Sequence, residues 1–236
     1  MAPKVLFIVN DPVAPPAVLG EVFSEFGYDV DTFDVVPEGQ GDDPTSDVEF
    51  PDPLHHDVIV PLGARWAAYD ERLLQTWVGD EMKMVRVADA AGLGVLGVCF
   101  GGQLVAQAHG GTVERSPDPE IGWHQVTTDA PELIPEGPWF QWHFDRFKVP
   151  PGAVELARNG RATQAFAIGH TVGLQFHPEL DGPLLEAWLA NDGAEAVALG
   201  LDLNELRSET ARLQSDAARR LRALVRGFID RVAHQP

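Results

Sequence analysis

Short apolar runs alternate with segments of helical spacing along the first half of the chain. Apolar runs bounded by turn residues predict buried strands at residues 4–10 (KVLFIVN), 28–33, 57–61 (DVIVP) and 93–98. Helical spacing or a helix-forming composition predicts helices at residues 18–26, 69–91 and 101–108. Because strands that alternate with helices form parallel sheets covered on both faces, this half predicts an α/β fold.

The pattern changes between residues 111 and 176, where Pro and Gly turns separate short β-type runs. These runs lie at residues 125–128, 153–157, 163–168 and 172–176. They predict mixed or antiparallel strands that extend the first sheet. The Gly-, Pro- and Asp-rich residues 38–53 predict an exposed loop rather than a linker between domains.

Helical patterns return after Pro178. One apolar stripe contains Leu184, Leu185, Trp188 and Leu189. A longer amphipathic helix is predicted from the spacing of Leu206, Leu213, Ala217, Leu221, Leu224, Phe228 and Val232. We therefore expect one α/β domain at residues 1–190 with a mixed, mostly parallel sheet. Residues 191–236 are expected to be a helical extension that packs on this domain or on a partner.

The composition is that of a globular protein, since 44% of the 236 residues are hydrophobic and 22% are charged. The charge is strongly biased, because 17 Lys and Arg oppose 36 Asp and Glu and give a net charge of −19. This excess of negative charge repels phosphate backbones and anionic lipid head groups. Nucleic acids and membrane surfaces are therefore poor partners for this chain.

The sequence favours a cytoplasmic protein without a metal or another cofactor. No apolar run reaches the ~18 residues of a membrane span, and the run at residues 5–9 is too short for a signal peptide. Cys99 is the single cysteine, which excludes an intramolecular disulfide and a multi-cysteine zinc site. His55 and His56 lack a third metal ligand at useful spacing.

Cys99 lies where a nucleophile could be presented. An apolar strand leads into Gly97, and Gly101 opens the predicted helix, so small residues flank Cys99 by two positions on each side. This spacing permits a sharp strand-to-helix turn. The helix N-terminus favours a thiolate, and the N–H of Phe100 could stabilise an oxyanion. A buried, unreactive cysteine or a phosphate-binding turn are the alternatives for this segment alone.

A base and a second oxyanion donor can also be assigned. His177 and Glu179 follow the last predicted strand in residues 175–179 (QFHPE). Because alternate residues of an extended strand share a face, the Glu179 carboxylate can orient the His177 imidazole. Gly63 follows a buried strand, and its N–H could be the second donor, although a plain turn glycine is equally compatible. Together with Cys99, these residues indicate nucleophilic catalysis.

At residues 4–189 the sequence resembles a class I glutamine amidotransferase domain of the Cys-His-Glu type. Residues 97–103 (GVCFGGQ) match the nucleophile elbow of that family, and residues 175–179 match its second signature. Residues 110–113, 121–123 and 142–145 also match family positions. The resemblance, which is strongest to stand-alone homologues of the GMP synthase glutaminase domain, implies a three-layer, flavodoxin-like fold.

The resemblance also implies roles for individual residues. Cys99 would attack the side-chain amide of L-glutamine, His177 would transfer protons, and Glu179 would orient His177. Hydrolysis of the thioester on Cys99 would give glutamate and ammonia. In the substrate pocket, Gln103 would help to hold glutamine and the segment His143, Phe144 and Asp145 would line it.

The acceptor of the ammonia is expected on another polypeptide, such as a synthetase subunit acting in trans. The 236 residues contain no Gly-x-x-x-x-Gly-Lys-Ser/Thr loop and no Ser-Gly-Gly-x-Asp-Ser-like phosphate loop. A homodimer is also compatible with the sequence. Three alternatives stay open: a γ-glutamyl hydrolase or peptidase, a non-catalytic regulatory subunit with the same fold, and a more distant relative with a cysteine elbow.

Overall fold

A computed structural model describes residues 2–40 and 43–233, in which nine strands form one sheet. The strands are β1 (Lys4–Val9), β2 (Asp29–Asp34), β3 (Val58–Pro61), β4 (Gly94–Val98), β5 (Thr112–Thr128), β6 (Gly137–Lys148), β7 (Val154–Arg158), β8 (Thr163–Ile168) and β9 (Thr171–Leu174). The helices are α1 (Ala17–Glu25), α2 (Glu71–Leu74), α3 (Val78–Ala90), α4 (Phe100–Ala108), α5 (Gly182–Ala198) and α6 (Leu203–Phe228). Parts of two predicted segments, Gly41 and Asp42 in the loop and residues 234–236 in the extension, lie outside the described residues, as does Met1.

The sheet is parallel on one side and antiparallel on the other. Its strand order is β2-β1-β3-β4-β9-β8-β7-β5-β6. Neighbouring strands from β2 to β9 pair in parallel, and those from β9 to β6 pair antiparallel. This arrangement confirms the predicted mixed sheet, in which the second half of the chain extends the first.

Helices cover both faces because side chains alternate along the buried strands. In β1, Val5 and Phe7 point to the face covered by α1 and α6, whereas Leu6 and Ile8 point to the face covered by α3 and α4. All four side chains are at most 3% exposed. The three-layer α/β architecture is therefore confirmed.

A long hairpin formed by β5 and β6 was missing from the sequence-based prediction. The sequence predicted only its residues 125–128 as strand, yet β5 has 17 residues and β6 has 12. The register of the hairpin shifts between Arg115 and Glu120, where Pro117 and Pro119 interrupt the β-type pattern. Its inward positions also carry polar side chains, among them Gln141 and His143, so the usual alternation is hidden.

The two C-terminal helices pack on different parts of the domain. The apolar stripe of α6, from Leu221 to Phe228, is buried against the sheet beside α1. Helix α5 packs on the hairpin. It spans the expected division between residues 190 and 191, and the division itself stays a prediction. Among the described residues, no helix is both long and apolar enough to cross a membrane.

Candidate active site

Cys99 occupies a strained turn between β4 and α4. Its φ of 51° and ψ of −107° lie in a region that residues with a side chain rarely adopt. The turn is closed so tightly that a Cβ added to Gly97 would lie 2.5 Å from the Gly101 carbonyl oxygen. A Cβ added to Gly101 would collide with the Pro61 carbonyl. The flanking glycines are thus required by the close approach of α4 to the ends of β3 and β4.

The surroundings of Cys99 combine backbone and amide groups. Its side chain is buried at the N-terminus of α4, and its thiol lies 3.8 Å from the Trp142 carbonyl oxygen. The amide Nε2 of Gln175 lies 3.9 Å from the sulfur and is oriented to donate to it. Phe100 is the first residue of α4, so its N–H has no acceptor within the helix. Two donors, the Gln175 amide and the Phe100 N–H, thus lie close to the sulfur, together with one acceptor, the Trp142 carbonyl.

His177 and Glu179 form a buried hydrogen-bonded pair beyond the end of β9. Nδ1 of His177 lies 2.7 Å from Oε1 of Glu179, and the two side chains are 4% and 1% exposed. The backbone N–H of His177 donates to the Phe140 carbonyl at 2.8 Å, which ties the segment to β6. The ring of Trp188 meets the imidazole edge to face at 4.7 Å between centroids. Since Glu179 engages Nδ1, Nε2 is the nitrogen left for proton exchange with Cys99.

Opposing effects act on the pKa of His177. Burial lowers it, because the charged imidazolium loses its hydration. The negative charges and hydrogen-bonding groups of Cys99 and Glu179 raise it by more, so the pKa of His177 stands well above 6.5. The site therefore favours the charged, imidazolium form of His177.

Gly63 borders both reactive side chains. A Cβ added to Gly63 would lie 3.1 Å from Cε1 of His177 and 3.9 Å from the Cβ of Cys99. The structure thus brings together Cys99, Phe100, Gly63, His177 and Glu179, which the sequence assigned to one site.

The remaining expected pocket residues, Gln103, His143, Phe144 and Asp145, line the same cleft. Gln103 donates from Nε2 to the Asp145 carbonyl at 3.1 Å, and Nδ1 of His143 lies 3.0 Å from that oxygen. Nε2 of His143 lies 3.3 Å from the buried carboxylate of Glu120. Both ring nitrogens of His143 thus face protein groups, and Gln103 and His143 together fix the backbone of Asp145.

The outer part of the cleft consists of charged residues that the sequence analysis missed. Arg65 donates to both carboxylate oxygens of buried Asp11 at 2.8 and 3.1 Å and lies 3.7 Å from Asp192. Burial raises the pKa of Asp192 in spite of Arg65. Glu195 accepts the indole N–H of Trp142 at 3.1 Å. Asp11 and Arg65 lie in the loops after β1 and β3, and Asp192 and Glu195 lie on α5, so only the tertiary fold brings these charges to one cleft.

No group of three or more His, Cys, Asp or Glu side chains that could hold a metal ion occurs in the described part of the chain.

Comparison with known families assigns this fold and cleft to a class of proteins. The model of the family "Glutamine amidotransferase class-I" matches residues 66–193, which is more than half of the chain. The chain belongs to the class-I glutamine amidotransferases, and the resemblance seen in the sequence is confirmed.

The chain is also similar to individual proteins of known name. It is 36% identical over 114 residues to a GMP synthase [glutamine-hydrolyzing] of Aeropyrum pernix, in a segment covering 42% of this chain and 22% of the relative. For the corresponding protein of Thermomicrobium roseum the identity is 41% over 98 residues, covering 38% and 18%. The chain thus spans about a fifth of the length of these curated relatives. A glutamine amidotransferase structure from Thermotoga maritima shares the fold over 100% of both chains, with a TM-score of 0.83 and 24% identity.

Proposed function

We propose that this protein hydrolyses the side-chain amide of L-glutamine through a thioester on Cys99. One observation carries the proposal: the His177–Glu179 pair, with its 2.7 Å hydrogen bond, is buried beside a cysteine on a strained turn. A nucleophile, a base and a group that orients the base are the parts that this chemistry needs.

In the first half of the reaction, the Cys99 proton passes to Nε2 of His177 and the sulfur attacks the amide carbon of glutamine. The C=O electron pair moves to oxygen and forms a tetrahedral oxyanion. The N–H groups of Phe100 and Gly63 would stabilise that charge. The C–N bond then breaks, His177 returns its proton to the leaving nitrogen, and ammonia departs from the thioester.

In the second half of the reaction, a water molecule takes the place that ammonia has left and attacks the thioester. His177 takes a proton from the water as its oxygen attacks the thioester carbon, and a second oxyanion forms in the same place. The oxyanion then re-forms the C=O bond as the C–S bond breaks, His177 returns the proton to the Cys99 sulfur, and glutamate is released. Throughout, Glu179 holds Nδ1 of His177, so that only Nε2 exchanges protons.

Gln103, His143, Phe144 and Asp145 form the proposed substrate wall. The contacts of Gln103 and His143 with the Asp145 carbonyl favour a supporting role for these two side chains. The carboxylate of Asp145 accepts the Tyr69 hydroxyl at 3.1 Å and faces the cleft, where it can bind the ammonium group of an amino acid.

The ammonia would be used by an acceptor bound to another polypeptide. The two curated relatives described above are named GMP synthase, and the matching segment is about a fifth of their length. A synthetase subunit acting in trans is the partner that this similarity favours.

A second candidate is the cleavage of a larger γ-glutamyl compound by the same triad. It is favoured by the extension of the cleft past the triad to Arg65, Asp192 and Glu195. Those groups could bind a substituent on the amide nitrogen that glutamine lacks.

Glutamate release from glutamine and from γ-glutamyl dipeptides tests both candidates, with a Cys99→Ala variant as the control. Release from glutamine that disappears in Cys99→Ala is the expected result. Cleavage of dipeptides with little turnover of glutamine would favour the second candidate. Absence of release from both, also after addition of a purified synthetase, would contradict both and favour a non-catalytic subunit.

A further inference from the structure

A buried polar pair outside the triad lies directly behind the loop that carries Gly63. Asn10 directly follows β1 and Glu81 lies on α3, and both residues are 0% exposed. Around Glu81, the buried residues of α3 are apolar, including Val78, Met84 and Val85. Burying a carboxyl group among apolar side chains costs free energy, so its retention calls for a specific partner.

That partner is Asn10, which connects Glu81 to the active-site loop. The amide nitrogen Nδ2 of Asn10 donates to Oε1 of Glu81 at 3.2 Å and to the carbonyl of Leu62 at 3.1 Å. The Leu62 carbonyl also accepts the N–H of Gly101 at 3.1 Å, from the first turn of α4. Two donors therefore hold this single carbonyl oxygen from the side of the protein interior.

The direction of the Leu62 carbonyl determines the direction of the next N–H. The Leu62–Gly63 peptide is trans, and in a planar trans peptide the C=O and the following N–H point in opposite directions. With the carbonyl turned toward Asn10 and Gly101, the N–H of Gly63 is turned away from them. Gly63 itself borders Cys99 and His177.

We propose that Asn10, held by Glu81, is a positioning residue that keeps the N–H of Gly63 directed into the Cys99 site. Glycine at position 63 makes such support necessary, because a residue without Cβ rotates its flanking peptides easily. The inference rests on the proposed function in one respect: the N–H is useful there because an oxyanion forms on a substrate bound to Cys99.

The protonation of Glu81 is consistent with this arrangement. Burial raises the pKa of Glu81 to about 8, although the hydrogen bond from Asn10 lowers it. The carboxyl group is then mostly neutral at pH 7, and it orients Asn10 without adding negative charge behind the oxyanion.

The test compares Asn10→Ala with the wild type in steady-state hydrolysis and in crystal structures of both proteins. We expect kcat to fall by about 10- to 100-fold with KM changed less than about threefold, because the oxyanion contact exists only in the transition state. The crystal structure of the variant should show the Leu62 carbonyl turned away from its wild-type direction. Glu81→Gln retains an acceptor for Asn10 and should keep kcat within about threefold of the wild type, whereas Glu81→Leu should lower it.

Thr210→Val is the matched control for a loss of stability. Thr210 is 1% exposed and accepts the indole N–H of Trp123 at 2.9 Å, and neither residue lines the cleft. The Thr210→Val substitution should lower the melting temperature without lowering kcat. An unchanged kcat and an unchanged Leu62 carbonyl in Asn10→Ala would overturn the proposal. If the wild type hydrolyses nothing, the proposed function fails, and the orientation of the Leu62–Gly63 peptide in the two crystal structures still decides this inference.

Discussion

Nδ1 of His177 lies 2.7 Å from Oε1 of Glu179, and both side chains are withdrawn from solvent. In water such a contact is weakened by hydration, but a buried one fixes the ring plane and the tautomer of the imidazole. Cys99, on the turn between β4 and α4, adds a third titratable group to this pair, which comes from the segment after β9. The consequences of removing each group differ, and the differences can be measured.

Replacing the nucleophile should cost more than replacing the orienting acid. We expect Cys99→Ala and His177→Ala to lower kcat for glutamine by about 10⁴-fold or more, and Glu179→Gln to be roughly 10- to 100-fold less severe. Steady-state glutamate release measures all three. Equal losses in Glu179→Gln and Cys99→Ala would mean that Glu179 does more than orient His177.

The Glu179→Gln variant should also shift the pH dependence of kcat/KM. Glu179 is one of two groups that raise the pKa of His177 above 6.5, and Glu179→Gln removes its negative charge. The pKa of His177 should then fall, and the imidazolium should be lost at a lower pH. We expect the alkaline limb of kcat/KM to move to lower pH in Glu179→Gln. If the alkaline limb stays at the same pH, the group that titrates in it is not His177.

The nucleophile turn should not tolerate a methyl group at Gly101. A Cβ there would collide with the backbone carbonyl of Pro61, and backbone cannot rotate out of the way as a side chain can. We expect Gly101→Ala to lower the free energy of unfolding by about 2–3 kcal/mol. Gly160→Ala is the control, since no atom lies within 4 Å of its added Cβ, and it should change stability by less than about 0.5 kcal/mol. Urea denaturation compares them, and equal stability of the two variants would contradict the close packing of α4.

The sequence was sufficient for the parts of the fold and site that depend on local patterns. Apolar runs predicted β1, β3 and β4, and the glycines around Cys99 predicted the tight turn that the structure contains. The hairpin of β5 and β6 was missed because its inward side chains include Gln141 and His143. Polar residues on a buried face look like exposed positions until their partners, such as Glu120 for His143, are known.

The charged residues of the cleft were missed because only the tertiary structure brings them together. Arg65 lies in the loop after β3 and Asp192 lies on α5, far apart in the chain, yet 3.7 Å separates their charged groups. No spacing within one element relates them. The pair of Asn10 and Glu81 was inaccessible for the same reason, since β1 and α3 meet only in the folded domain.

A substitution of Gln103 can distinguish a side chain that supports the wall of the cleft from one that contacts the reacting atoms. Because its Nε2 donates to the Asp145 carbonyl, Gln103→Leu should loosen the wall of the cleft. We expect KM for glutamine to rise about three- to tenfold with kcat changed less than about threefold. Gln107→Leu is the matched control on the same helix, one turn further and away from the cleft, and should leave both constants unchanged. A kcat that falls with KM unchanged would instead place the Gln103 amide at the reacting atoms.

The stability of the protein should depend on pH through Glu81. Its carboxyl group has a pKa of about 8 in the folded protein, raised by burial from 4.5, the value expected for the unfolded chain. Between these values the unfolded chain releases a proton that the folded protein retains. The free energy of unfolding therefore falls as pH rises through this range, with a slope of up to about 1.4 kcal/mol per pH unit from this group.

Glu81→Gln removes that dependence while keeping an acceptor for Asn10. We expect the stability of the variant relative to the wild type to increase by about 1 kcal/mol or more between pH 6 and pH 8, measured by urea denaturation at each pH. Glu114→Gln is the control, because Lys148 and Arg146 hold the pKa of that exposed carboxyl below its usual value, and ionisation there is complete before pH 6. Its relative stability should be constant over the same range. Parallel curves for Glu81→Gln and the wild type would mean that the folded protein accommodates an ionised Glu81, and that Asn10 is oriented by a carboxylate.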